Sequence, residues 1–162
     1  MTENAKFNCE GILINFDALI DRLLAFINDK PDREYKIVVG TDSRAEKEVR
    51  LITAVSILRV GNGGRYFWTR SEVVSAPTMR DRIYKEAMYS IAFTQELKSR
   101  LKDKLGEEYF WDHKISVHLD VGENGPTKDI IDAVVGMVRG YGFEAVIKPY
   151  SYGAFVLADR HT

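Results

Sequence analysis

The chain has 162 residues, 45% of them apolar and 29% charged, with a formal net charge of −1 at pH 7. That length and balance fit one folded domain over 1–162 with a real core, and exclude a disordered or polybasic chain. A single cysteine, Cys9, excludes an intramolecular disulfide and a cysteine-rich zinc site, and no apolar run is long enough to span a bilayer. The opening MTENAKFNCE is polar and acidic, unlike a secretory signal, so a cytoplasmic protein with no membrane partner is expected. A homo-oligomer is compatible with the sequence.

Phe16, Leu19, Ile20, Leu23, Leu24 and Ile27 recur at helical spacing, which predicts a helix over 16–29 capped by Asn15. Residues 1–34 therefore read as a helical extension packed on the rest of the domain. YKIVVGTD at 35–42 reads as a strand covered on both faces, and 49–60 and 65–74 as two more. The Gly61–Gly64 turn makes the last two a hairpin, and the short 43–48 loop makes all three an antiparallel meander. Pro77 precedes a helix over 79–105, which Gly106 ends. ISVHLDV at 115–121 alternates as a fourth strand, followed by a helix over 126–139 that Gly140 closes. A short strand over 143–147 and a closing helix over 151–160 complete an α/β pattern: a mixed sheet with helices on both faces. The fourth and fifth strands would be parallel, joined by a right-handed crossover.

Four acidic residues stand where a small fold normally avoids charge. Asp42 ends the first strand of the meander and Asp120 ends the fourth strand. Glu86 falls on the edge of the apolar side of the long helix, and Asp159 lies on the last helix. An aspartate at a strand end is often only a turn former, and a glutamate at a stripe's edge is often only solvated. Jointly they suggest a site, because clustered carboxylates repel unless a divalent cation such as Mg²⁺ or Mn²⁺ offsets their charge. Two such ions would serve phosphodiester hydrolysis. Asp129 and Asp132 are rival ligands. His118 shares a sheet face with Asp120 and either orients a carboxylate or is a hydrogen-bonded core residue. Ser43 follows Asp42 directly. Arg44, Arg80, Arg82 and Lys85 cluster near the start of the long helix, and Lys148 ends the fifth strand; each is a phosphate ligand or a solvated charge. Tyr66 and Trp68 share a face, for base stacking or packing.

The acidic pattern resembles the ribonuclease H-like superfamily, and within it the small bacterial YkuK family. The resemblance rests on VGTDS at 39–43, HLDVGENGPTKDII at 118–131, GMVRGYGF at 136–143 and KPYSYGAFVLADRHT at 148–162. It implies a five-stranded sheet of order 3-2-1-4-5 with strand 2 antiparallel, plus the extra N-terminal helix. It matches Asp42, Glu86, Asp120 and Asp159 to the superfamily's metal-holding, catalytic carboxylates. It implies a Mg²⁺- or Mn²⁺-dependent nuclease or phosphodiesterase with nucleic acid as partner; Arg44, Arg82 and Lys148 are the candidate substrate ligands by their positions in the chain, not by the resemblance. Two other readings stand beside it. One is a non-catalytic nucleic-acid-binding or protein-interaction module of the same fold, in keeping with the near-neutral charge. The other is a structural cluster paired with Arg80 or Arg82.

Overall fold

A computed structural model describes residues 4–112, 115–122 and 128–148. Its elements in chain order are β1 (Phe7–Cys9), β2 (Ile12–Ile14), α1 (Phe16–Asp29), β3 (Tyr35–Asp42), β4 (Glu48–Arg59) and β5 (Gly64–Ser75). They continue with α2 (Met79–Leu105), α3 (Tyr109–Asp112), β6 (Ile115–His118), a 3₁₀ turn (Lys128–Ile130), α4 (Ile131–Gly140) and β7 (Glu144–Val146). The closing helix read over 151–160, with its Asp159, lies outside the described residues. Among the described residues no helix is long and apolar enough to cross a membrane.

Among the described residues, seven strands form one mixed sheet of order β2-β1-β5-β4-β3-β6-β7. The five strands β5-β4-β3-β6-β7 reproduce the expected 3-2-1-4-5 order, with β4 antiparallel to β3 and β6 parallel to it. Seven strands replace the expected five because the N-terminal segment is not wholly helical. Residues 7–14 form a β-hairpin whose turn, Glu10-Gly11, takes positive φ at both positions (52° and 85°). That turn matches the twist of paired strands. The Asn8 side chain closes it by accepting from Gly11 N, at 3.1 Å. The hairpin meets β5 at Asn8↔Trp68, beside an edge that a five-stranded sheet would leave open. Its anchor is Phe7, fully buried against Phe16 of α1 and Phe93 of α2, with ring centroids 5.4 to 6.1 Å apart.

Caps set the helix boundaries. Asn15 Oδ1 accepts from Ala18 N at 2.8 Å to start α1, and Thr78 Oγ1 accepts from Asp81 N at 3.1 Å to start α2. Gly106, at φ 85°, ends α2 with its N–H on the Lys102 carbonyl. Side chains of α1, α2 and α4 share one core with Tyr35, Ile37 and Val39 of β3 and with Ile115 and Val117 of β6. Alternation along β3 then turns Val38 and Gly40 to the opposite face. The expectation of helices on both faces depends on the 151–160 segment, so it too lies outside the described residues.

Candidate metal centre

Two central strands and one helix converge on the site. β3 delivers Asp42 as its last residue. β6 is shorter than expected, ending at His118, so Asp120 lies two residues beyond the strand. The backbone there remains tied to the segment after β7: Leu119 N donates to Val146 O at 2.9 Å, and Lys148 N to Val121 O at 2.8 Å. Asp120 is therefore held nearly as firmly as a strand residue. α2 packs across β3 and β6 and presents Glu86 from its second turn.

One carboxylate oxygen each from Asp42, Glu86 and Asp120 lies within 4.8 Å of the others. Asp42 and Glu86 are 5% and 6% exposed, and the Asp120 side chain 25%. Burial pushes the Glu86 carboxyl up to about 8. The Ser43 hydroxyl opposes this by donating to Oε1 at 2.7 Å. The negative charges of Asp42 and Asp120 raise it further, and Arg82 pulls it back. A small cavity of about 10 Å³ opens among Thr41, Glu86, Ala87, His118 and Asp120. That is the scale of a single water or small ion.

Below the carboxylates sits a buried hydroxyl chain that sequence reasoning missed. Thr41 Oγ1 lies 2.7 Å from Ser90 Oγ and 2.9 Å from Thr53 Oγ1, and Thr94 Oγ1 donates to the Ser90 carbonyl. Ser90 is one turn beyond Glu86 and Thr41 immediately precedes Asp42. The chain therefore fixes the Glu86 turn of α2 against the strand that carries Asp42. The signal in the sequence is a serine four residues after the glutamate, on the same helix face. Ser90→Ala should cost about 1–2 kcal/mol in urea unfolding, because it strips Thr41 of a buried partner.

Ser43, next to Asp42 in the chain, is bonded to Glu86. His118 lines the cavity; its Nδ1 is buried without a hydrogen bond among the described residues. Burial lowers the pKa of His118, with Glu144 opposing, so its ring is neutral at pH 7. Arg82 stands one turn before Glu86, close enough to act on its charge. Arg80 instead pairs with Asp129 at the surface, at 3.4 Å. Asp129 and the exposed Asp132 are thus outside the cluster. Lys85 donates to the Ser75 carbonyl. Arg44 is exposed and lines a groove of about 360 Å³ with Arg50, Arg70, Glu46 and Glu48. Lys148 forms an ion pair with Asp120.

The donor set fits Mg²⁺ or Mn²⁺: three hard carboxylates, two of them buried, and a cavity of ionic size. The family model described as ribonuclease H-like matches residues 18–162. The chain is also 32% identical, over 171 residues, to an uncharacterized protein, YkuK, of Bacillus subtilis (strain 168); the match covers 96% of this chain and 95% of that one. No solved structure matches the chain. With the sheet order and both matches in agreement, the chain belongs to the ribonuclease H-like family, in its YkuK-like group.

Proposed function

We propose that the protein is a divalent-metal-dependent nuclease that cleaves the phosphodiester backbone of a nucleic acid. The observation that carries this reading is the convergence of Asp42, Glu86 and Asp120 within 4.8 Å. Asp159, outside the described residues, is the fourth carboxylate in the proposal. Its support is the family match, which extends through residue 162. Mg²⁺ or Mn²⁺ held there would supply activation of a water for in-line attack and stabilisation of the leaving oxygen.

The chain's own residues do the rest. Asp42 and Glu86 are held rigid by β3 and by the hydroxyl chain, so little reorganisation accompanies reaction. Ser43 fixes Glu86 Oε1 and leaves Oε2 for a cation. Neutral His118 offers a ring nitrogen that can accept a proton from a water in the cavity. Arg44, with Arg50 and Arg70 in the same groove, lies two residues from Asp42 and supplies positive charge for backbone phosphates. Arg82 and Lys148 add charge at the site itself.

The test is incubation with single-stranded RNA, single-stranded DNA, duplex DNA and an RNA–DNA hybrid, with Mn²⁺ or Mg²⁺ and with EDTA. Cleavage of at least one substrate that EDTA abolishes is the expected outcome. Metal-loaded protein that leaves all of them intact while binding one would instead favour the non-catalytic module, to which the net charge of −1 lends support.

A further inference from the structure

We propose that Lys148 is the resident counter-cation of the acidic site: its ammonium holds Asp120 until a divalent ion displaces it. This rests on the metal-site reading above. Three carboxylates share a partly buried space, and at least one of them needs a partner of opposite charge when no metal is bound. The Lys148 ammonium forms an ion pair with Asp120 Oδ1. A lysine in this position is not an accident of a flexible side chain, because its backbone is clamped. Lys148 N donates to Val121 O at 2.8 Å, which brings the strand end beside the Asp120 segment. The approach is tight: a Cβ added at Gly122 would stand 3.1 Å from Lys148 Cβ. The chain thus aims the lysine stem along residues 120–122.

The two partners differ in mobility. Asp120 is short and 25% exposed; the Lys148 side chain is four carbons long and 51% exposed. The ammonium can swing away while the carboxylate stays in place. An incoming divalent ion carries twice the charge and takes oxygen ligands directly, so it wins Asp120 and turns Lys148 out toward solvent. The released ammonium then stands beside the reaction site, ready to meet a phosphate oxygen. A single side chain thereby neutralises the empty site and adds positive charge next to the loaded one.

The consequence is that Lys148 weakens metal binding. Calorimetric titration with Mn²⁺ should show about tenfold tighter binding for Lys148→Met than for the wild type, because the variant has no ammonium to displace. Lys148→Arg, which keeps the charge, should bind within about twofold of the wild type. Thermal unfolding checks that each variant folds. A second readout is amine methylation followed by mass spectrometry, in which Lys148 should become more reactive when Mn²⁺ is added. Equal or weaker Mn²⁺ binding by Lys148→Met, with normal binding by the wild type, would overturn the inference and leave the metal site standing. No binding by any of the three proteins would overturn both.

Discussion

Asp42→Asn and Asp120→Asn should each lower metal-dependent cleavage by about a thousandfold or more while leaving the fold intact. Each substitution keeps the size of the side chain and removes one anionic ligand from a set whose oxygens lie within 4.8 Å. Metal ions at such a centre contribute several kcal/mol of transition-state stabilisation, and every 1.36 kcal/mol is about tenfold in rate. Stability should hardly fall, since fewer negative charges then share a buried space. Asp120→Asn also releases Lys148 from its ion pair, but that pair is half exposed and adds at most about 1 kcal/mol. Steady-state cleavage with the substrate that the wild type prefers, beside circular dichroism and urea unfolding, checks both halves. Cleavage by both variants within tenfold of the wild type would remove these carboxylates from the reaction. Asp129→Asn is the internal control: it touches only the exposed Arg80 pair and should leave the rate unchanged.

Much of the fold was legible in the sequence, and the limits have physical causes. The helices at 16–29 and 79–105 and the strand at 35–42 have the boundaries that periodicity and turn residues predict. Each is long enough to show its period and ends at a strong local signal. The β1–β2 hairpin was not legible because its strands have three residues each, too few for alternation to register. Its turn also places Glu10, a residue with no preference for positive φ, where asparagine would have announced it. Asp42 stood out because a charge that ends an apolar strand is costly without a partner. Helical angle puts Glu86 at the edge of the apolar side, and only the family resemblance joins it to the other carboxylates. Periodicity gives direction around an axis but not how the helix lies on the sheet, so the convergence with Asp42 and Asp120 belongs to the tertiary structure. Lys148 shows the same limit. Its position at a strand end suggested a phosphate ligand, whereas its pairing with Asp120 depends on how the segment after β7 lies against the segment after β6.

The stability of the metal-free protein should fall as the pH is raised from 6.5 toward 8, and Glu86→Gln should abolish most of that fall. The Glu86 carboxyl has its ordinary value, 4.5, in the unfolded chain and about 8 in the folded one, chiefly because burial disfavours the charged form. Between those values the native state binds a proton that the unfolded state has lost. Unfolding then becomes easier with rising pH, at up to about 1.4 kcal/mol per unit. The contribution is complete below 4.5 and gone above about 8, a total on the order of a few kcal/mol. His118 acts in the opposite sense: burial lowers its pKa, so its contribution is lost as the pH falls below 6.5. The window from 6.5 to 8 therefore isolates Glu86. Urea unfolding in EDTA at half-unit steps across that window measures the slope, and a flat wild-type profile would mean that Glu86 is already ionised in the folded protein. Glutamine keeps the shape and can accept from Ser43 Oγ, but has no proton to lose, so its profile should be level. Metal reverses the trend, since a cation binds the carboxylate and not the acid. Mn²⁺ uptake at pH 7 should release close to one proton from the wild type, read from calorimetry in buffers of different ionisation enthalpy, and none from the Glu86→Gln site. A buried carboxyl that is neutral without metal and charged with it lets the same residues stay folded in both states. On the proposed function, burial would hold the proton in the metal-free site and the cation would replace it in the loaded one.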